Sequence, residues 1–248
     1  MKLSYLLFFL YLNISTSFSF ILNYKRTFLD KKLNNIQVFQ KNIPNDELKC
    51  AIFFTGGSGF VRYNIYSQFL NTLAMKNISV YIPEFNYNNI NHLIKKLDNE
   101  YQEVFLLGHS SGCTTMLNRC NLKKIKKIIL LDPVNTRLVK RDKKKFILSN
   151  SNDLLFLNAE KSYKITFEPF GLPFIPIFKL DIDSILWNKK HNKIKYKSYK
   201  NNGHSDILNK NLSNFMHYSR ASVGDKNRNI YSYHRKVSRN IYEFVYNI

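Results

Sequence analysis

The chain has 248 residues, 44% of them hydrophobic and 22% charged, which suits one globular domain with a sizeable core. Its formal net charge of +21 is compatible with peripheral association with an anionic membrane or a polyanion. Lysine and asparagine are spread along the whole chain, however, and neither zinc-ligand spacings nor an aromatic RNA-binding pattern occurs. The composition therefore argues against nucleic-acid binding as the main role.

The first residues follow the layout of a secretory signal peptide. Lys2 precedes an apolar run over residues 3–12, and small polar residues follow at 15–17. We predict a signal peptide over residues 1–19, which directs the chain into the secretory pathway. A short uncleaved anchor is the alternative, because residues 18–22 prolong the apolar stretch.

Residues 20–43 form a basic stretch with little hydrophobic periodicity. The stretch resembles the transit-peptide half of a bipartite leader that targets plastids bounded by extra membranes. An ordinary flexible segment is the alternative. We place the folded domain at residues 44–248.

From Leu48 onward, short apolar runs alternate with amphipathic segments, which is typical of β-α-β units. The predicted strands are Ala51–Phe54, Ile78–Ile82, Val104–Leu107, Ile125–Leu131, Leu154–Leu157 and Lys193–Tyr199. The predicted helices are Tyr63–Met75, Ile90–Leu97, Ser111–Asn118 and Ile230–Tyr246. The sequence thus predicts an α/β fold with a mostly parallel central sheet flanked by helices.

The segment Ser162–Trp187 is less regular and rich in phenylalanine and proline. We expect it to form an apolar cap that buries a long isoprenoid or acyl chain, although these side chains would alternatively complete the core.

A motif for nucleophilic catalysis lies at the end of a predicted strand. Gly108-His109-Ser110-Ser111-Gly112 follows an apolar strand directly and precedes a helix, which is the context of the G-x-S-x-G nucleophile elbow. The small flanking residues allow a tight turn that exposes a serine hydroxyl at a helix N-terminus. We therefore predict Ser110 as the nucleophile.

A serine nucleophile needs a histidine base, and in this arrangement the order along the chain is serine, acid, histidine. His191, His204, His217 and His234 all lie downstream of the serine. Only His204 stands in a loop between a late strand and a helical segment. We predict His204 as the base.

Two carboxylates compete for the third position. Asp132 ends the strand after the nucleophile helix, and Glu160 follows the next strand. Both strand ends lie at the carboxyl edge of a parallel sheet, where active sites form. Asp132 is favoured, and Glu160 is the alternative acid.

Acyl transfer also needs backbone N–H donors that face the oxyanion. We expect one donor from Ser111, the residue after the nucleophile, and the other from Gly57 in the glycine-rich turn at 55–59. An ordinary tight turn is the alternative for the glycine segment. The cysteines show no metal-ligand spacing, and no metal or other cofactor is predicted.

Several of these pieces together resemble the chlorophyllases and their chlorophyllase-like relatives among the α/β-hydrolases. The resemblance spans residues 50–208. It rests on Ala51–Gly56, Tyr66-Ser67-Gln68-Phe69-Leu70, Ile82-Pro83, Gly108-His109-Ser110, Asp132-Pro133-Val134 and Gly203-His204-Ser205-Asp206-Ile207-Leu208.

The resemblance implies an α/β-hydrolase fold, a triad of Ser110, Asp132 and His204, and metal-free hydrolysis of the phytyl ester of chlorophyll to chlorophyllide and phytol. Two positions depart from the family pattern: Thr55 stands where histidine is frequent, and Ser111 where a larger residue is frequent. Two other functions remain open, a lipase or carboxylesterase for other lipophilic esters and a catalytically silent binding protein with the same fold.

Overall fold

The computed structural model describes residues 36–40, 48–56, 62–84, 87–134, 146–147, 152–163, 185–186, 194–218 and 224–248. The strands are β1 (Ile36–Phe39), β2 (Lys49–Phe54), β3 (Ile78–Pro83), β4 (Glu103–His109), β5 (Lys127–Leu131), β6 (Phe146–Ile147), β7 (Asp153–Ala159), β8 (Ile185–Leu186) and β9 (Ile194–Tyr199). The helices are α1 (Ser67–Ala74), α2 (Ile90–Glu100), α3 (Ser111–Arg119), α4 (Lys210–Tyr218) and α5 (Ile230–Val245).

Seven strands form the central sheet in the order β1-β3-β2-β4-β5-β7-β9. Strand β1 pairs with β3 in the antiparallel direction, and all other pairs of this sheet are parallel. Strands β6 and β8 form a separate parallel pair. Parallel strands end at a common edge, so β4, β5 and β7 deliver the residues that follow them to one side of the molecule.

Helices cover both faces of the inner part of the sheet, which explains why β2, β3, β4, β5 and β7 are mostly apolar rather than alternating, whereas the edge strand β9 is exposed. Helices α1 and α5 pack against one face, where Phe53, Phe105 and Ile129 lie. Helices α2 and α3 pack against the other, with Ile52 and Leu106 in the buried cluster. The predicted α/β class and mostly parallel sheet are confirmed.

Strand β1 was not predicted from the sequence. The sheet begins at Ile36, whereas the sequence places the start of the domain at residue 44 and assigns 20–43 to a leader or flexible segment. Ile36 and Val38 are buried and pair with β3 across the edge of the sheet. Four residues that the sequence assigns to the leader or flexible segment therefore lie in the sheet, and so short an edge strand, with two inward apolar residues, gives too short an alternation to stand out.

Two other boundaries differ from prediction. The segment predicted as one helix over 63–75 begins with a 3-10 turn at Tyr63–Tyr66 and becomes α-helical only at Ser67. Strand β5 begins at Lys127 rather than Ile125, because a 3-10 turn at Leu122–Lys124 occupies the preceding residues.

Several predictions fall outside the described residues: the signal peptide, residues 20–35 of the basic segment, Gly57 and nearly all of Ser162–Trp187. Among the helices that the structure does describe, none combines the length and apolar character needed to cross a membrane.

Candidate active site

The turn between β4 and α3 carries Ser110 in a conformation that is rare for residues other than glycine. Its φ is 56° and its ψ is −132°, which places the residue in a strained region of backbone space. The Ser110 N–H donates to the Leu131 carbonyl of the neighbouring strand (3.1 Å) and so holds the turn. A side chain at position 112 would clash with the Phe54 carbonyl, so Gly112 lets α3 begin directly against the end of β2.

The structure brings Ser110, His204 and Asp132 together although they lie far apart in sequence. The Nε2 atom of His204 is 2.8 Å from the Ser110 Oγ, and its Nδ1 atom is 2.5 Å from Asp132 Oδ2. Because the carboxylate can only accept, Nδ1 carries the proton and Nε2 accepts from the serine hydroxyl. This is the geometry of a serine nucleophile, its base and an orienting acid.

The turn that carries Asp132 is fixed to its neighbours by backbone and side-chain hydrogen bonds. The Asp132 N–H donates to the Leu157 carbonyl (2.7 Å), and Oδ1 of Asp132 accepts from the Ala159 N–H (3.2 Å). Two residues later, the Val134 N–H donates to the Ser110 carbonyl (3.2 Å). The Asp-Pro-Val segment thus ties the acid directly to the nucleophile turn.

Glu160, the alternative acid, has a different partner. It begins the 3-10 turn Glu160–Tyr163 after β7, and its Oε1 accepts from the Ser198 hydroxyl on β9 (2.6 Å). The structure therefore places Asp132, and not Glu160, beside His204.

No family model and no curated protein sequence matches the chain. Solved structures do resemble it. The Francisella virulence factor BioJ has a TM-score of 0.58 at 14% identity over 97% of this chain and 91% of that one. A sugar hydrolase, YeeB of Lactococcus lactis, has a TM-score of 0.55 at 14% identity over 91% of this chain and 98% of its own. Esterase 2 of Thermogutta terrifontis has 0.54 at 9% identity, with 92% and 96% of the two chains covered.

This chain has the α/β-hydrolase fold. At such low identities the likeness is one of architecture and does not extend to the chemistry of the side chains. The α/β-hydrolase sheet places the nucleophile after β4, the acid after β5 and the histidine after β9, in the chain order expected of this fold.

The turn that carries His204 is anchored by a buried ion pair which sequence reasoning missed. Asp206 has no exposed surface, and it accepts from the N–H groups of Gly203 (2.9 Å) and Gly224 (3.0 Å). Its Oδ1 also accepts from Arg228 Nε at 2.5 Å. A buried carboxylate with this many donors is well compensated for its loss of water. Asp206 stands in the Gly-His-Ser-Asp segment and was visible there, whereas nothing in the sequence singles out Arg228.

A second buried side chain bonds to the backbone of the same turn. His234, one of the downstream histidines, donates from Nε2 to the Asp206 carbonyl (2.9 Å). Burial lowers the pKa of His234 to about 4, so the ring is neutral near pH 7. His234 therefore supports the turn that carries His204 and does not contact Ser110.

The segment after the histidine turn is bound by the start of α1. Oδ1 of Asn209 accepts from the Gln68 N–H (3.0 Å) and from the Ser67 hydroxyl (3.3 Å). Oε1 of Gln68 accepts in return from the Lys210 N–H (2.8 Å). The Tyr-Ser-Gln segment is therefore bonded to the two residues that follow Leu208, the last residue of the histidine segment.

Of the two predicted oxyanion donors, Ser111 belongs to the described residues and Gly57 does not. Ser111 is the first residue of α3 and immediately follows the nucleophile, so its N–H lies at the positive end of the helix dipole. Gly57 lies outside the described residues and stays a prediction. The preceding N–H, that of Gly56, donates to the Tyr66 hydroxyl (3.0 Å) and is already engaged.

No group of three or more histidine, cysteine, aspartate or glutamate side chains is placed to hold a metal ion in the part of the chain that the structure describes.

Proposed function

We propose that the protein is a serine hydrolase of carboxylic esters. One observation carries the proposal: a continuous line of hydrogen bonds from the Ser110 hydroxyl through His204 to Asp132, with lengths of 2.8 and 2.5 Å. The strained backbone at Ser110 supports it, because strain of this kind persists where the surrounding structure enforces a functional geometry.

In the first half-reaction, Ser110 Oγ attacks the ester carbonyl carbon while its proton passes to Nε2 of His204. Asp132, 2% exposed, stabilises the resulting imidazolium through the proton on Nδ1. The N–H groups of Ser111 and Gly57 are the expected donors to the oxyanion. The tetrahedral intermediate then collapses, and the alcohol leaves with the proton that His204 returns.

In the second half-reaction, a water molecule gives a proton to His204 and attacks the acyl-enzyme. Collapse of the second tetrahedral intermediate releases the acid and restores the Ser110 hydroxyl. The net change is addition of one water across the ester bond, with no redox step.

For the substrate we propose a bulky lipophilic ester, of which the phytyl ester of chlorophyll is our leading candidate. Its chlorophyllide carboxyl would form the acyl-enzyme, and phytol would leave first. The resemblance to chlorophyllases supports this choice, and two of the segments that carry it meet in the bond between Asp132 and His204. The apolar stretch between the acid and the histidine also favours a long chain, because each buried methylene contributes about 0.8 kcal/mol.

The test is to incubate the protein with chlorophyll a and with acyl esters from two to sixteen carbons, beside the variant Ser110→Ala. We expect chlorophyllide and phytol from the wild type, activity on the esters that rises with chain length, and neither from the variant. If long acyl esters are hydrolysed and chlorophyll a is not, the protein is instead a lipase or carboxylesterase. Activity on the two-carbon ester that equals or exceeds the others would reject the lipophilic substrate.

We propose that residues 1–19 target the chain to the secretory pathway and that the basic residues after them redirect it to a complex plastid. Fusing residues 1–43 to a fluorescent protein tests both steps. Cytosolic fluorescence would reject the signal peptide, and fluorescence confined to the endoplasmic reticulum or the medium would reject the plastid step.

We also propose peripheral association with anionic membranes, where a lipophilic ester resides. The formal charge of +21 supports such adsorption. Cosedimentation with phosphatidylserine vesicles should be strong at low ionic strength and weak in 1 M salt, where the screening length falls to about 3 Å. Equal binding to neutral vesicles would contradict an electrostatic origin.

A further inference from the structure

A second chain of hydrogen bonds runs behind the triad. The N–H of Gly56, in the turn that ends β2 and two residues after its last strand residue, donates to the Tyr66 hydroxyl oxygen (3.0 Å). That oxygen is 2.9 Å from Nδ1 of His109, the residue before the nucleophile. The other ring nitrogen of His109, Nε2, lies 3.3 Å from the backbone carbonyl oxygen of His204.

The chemistry of the partners fixes the direction of every bond in this chain. A carbonyl oxygen only accepts, so the His109 Nε2 carries the proton and donates to His204. His109 Nδ1 then has no proton and accepts from the Tyr66 hydroxyl, whose oxygen in turn accepts from Gly56. One tautomer of His109 satisfies all the groups at once.

The side chains that form this line of hydrogen bonds are buried, and the His109 ring packs against the base. Tyr66 is 1% and His109 is 3% exposed. The His109 ring stacks on the His204 ring with centroids 4.7 Å apart and planes inclined by 30°. Burial, followed by the nearby His204, lowers the pKa of His109 to about 3. His109 is therefore neutral near pH 7 and keeps the unprotonated Nδ1 that the chain requires.

Gly56 also lies so close to the nucleophile that a side chain there would crowd it. A methyl group at Gly56 would lie 3.2 Å from Cβ of Ser110 and 3.0 Å from the Tyr66 hydroxyl oxygen. These hydrogen bonds therefore join three parts of the site: the turn after β2, which adjoins the predicted donor Gly57, the residue before Ser110, and the backbone of His204. The triad bonds alone do not connect the first of these to the third.

We propose that Tyr66 and His109 are positioning residues which hold the end of β2 and the base His204 in register with Ser110. The inference rests on the proposed hydrolase function. Neither side chain gives or takes a proton in the reaction. Their effect is on the geometry of nucleophile, base and oxyanion donors, and misplacing reacting groups by about 1 Å costs roughly 100-fold in rate.

The chain offers a matched control for the loss of one buried tyrosine hydroxyl. Tyr81 and Tyr101 bond to each other through their hydroxyls at 2.7 Å. Both are buried in the cluster on the α2 and α3 side of the sheet. Tyr101→Phe removes a comparable buried hydrogen bond without touching the triad, so it reports the purely structural cost.

The experiment measures the second-order rate of Ser110 modification by a fluorophosphonate, together with the melting temperature, in full-length protein. This rate depends on the nucleophile, the base and the oxyanion donors and needs no knowledge of the natural substrate. We expect Tyr66→Phe and His109→Phe to react about 10- to 100-fold more slowly than wild type, while Tyr101→Phe reacts within about twofold. The melting temperatures of Tyr66→Phe and Tyr101→Phe should fall by similar amounts.

Two further variants separate positioning from a general loss of packing. His109→Gln places an amide N–H near the position of Nε2, so it should restore part of the rate lost in His109→Phe. The double variant Tyr66→Phe/His109→Phe should react no more slowly than its slower parent, because residues acting as one unit are not additive. With an ester substrate, kcat should fall while KM stays within about threefold.

The outcomes are distinguishable. A Tyr66→Phe rate equal to that of Tyr101→Phe, with wild type labelled normally, would overturn the positioning role and leave the hydrolase proposal standing. If the fold-losses in labelling rate of the two single variants multiply in the double variant, Tyr66 and His109 do not act as one unit. No labelling of folded wild type would overturn both proposals.

Discussion

Two buried neutral histidines make the stability of this protein depend on pH in the mildly acidic range. Burial lowers the pKa of His109 to about 3 and that of His234 to about 4. In the unfolded chain both return to an ordinary value of about 6.5. Between these limits the unfolded state binds two protons that the folded state does not, so the free energy of unfolding falls as the pH falls.

The size of the effect follows from the same values. Well below pH 6.5 and above the folded-state pKa, each histidine costs about 1.4 kcal/mol of stability per pH unit. Integrated from pH 7 to pH 5, the loss is about 2 kcal/mol for each ring and about 4 kcal/mol for the two together. The window lies above the pKa of ordinary carboxylates, which are about 4, so His109 and His234 should dominate the change.

Urea denaturation at pH 7, 6 and 5 measures this loss, provided that the m-value stays constant. His109→Gln should reduce the difference between pH 7 and pH 5 by about half, to about 2 kcal/mol. His92→Gln is the matched control, since His92 is exposed on α2, and it should leave the difference unchanged. A pH dependence in His109→Gln as steep as in wild type would refute the assignment of a neutral buried His109.

Other substitutions test the remaining contacts. Asp132→Asn should lower kcat/KM by about 10³- to 10⁴-fold, because an amide no longer fixes the His204 tautomer, whereas Glu160→Gln should change it less than about threefold; the reverse ranking in ester hydrolysis would return the acid role to Glu160. Asp206→Asn should cost about 3 to 5 kcal/mol in urea denaturation, since it leaves the buried charge of Arg228 uncompensated, and a loss below about 1 kcal/mol would show that the ion pair is not the anchor of the histidine turn. Gly56→Ala should slow hydrolysis at least about tenfold, because misplacing reacting groups is costly, and should leave the circular dichroism spectrum unchanged; wild-type activity would show that the end of β2 is free to move.

The sequence predicts the features that arise from local patterns. Strands such as Val104–Leu107 are continuous apolar runs because both faces of the sheet are buried, and that pattern is visible without a structure. Ser110 and His204 could be singled out because each stands in a small-residue turn between a strand and a helix. The G-x-S-x-G context reports a backbone geometry, so the residue and its conformation are predicted together.

Strand pattern alone does not separate Asp132 from Glu160, although Asp132 was favoured and the resemblance also implied it. Strands β5 and β7 are direct neighbours in register, so both carboxylates follow strand ends at the same edge of the sheet. The position of the His204 ring, bonded to Asp132, decides between them. The roles of Arg228 and Tyr66 were equally hidden, because each contacts residues distant in sequence through a single side chain.

Strand β1 illustrates a different reason for failure. Its four residues gain their place by pairing with β3, and an isolated alternation of this length is common in segments that form no strand. Its basic neighbours favoured a leader interpretation instead.

Covalent labelling can show whether Ser110 is a nucleophile that His204 activates. Intact-mass and peptide analysis after reaction with a fluorophosphonate should show one adduct per chain, located on Ser110. The adduct should be absent in Ser110→Ala, and its formation should be slowed at least about 1,000-fold in His204→Gln, because removal of one member of such a unit costs several orders of magnitude. An adduct on another residue, or undiminished labelling of Ser110→Ala, would show that Ser110 is not the nucleophile.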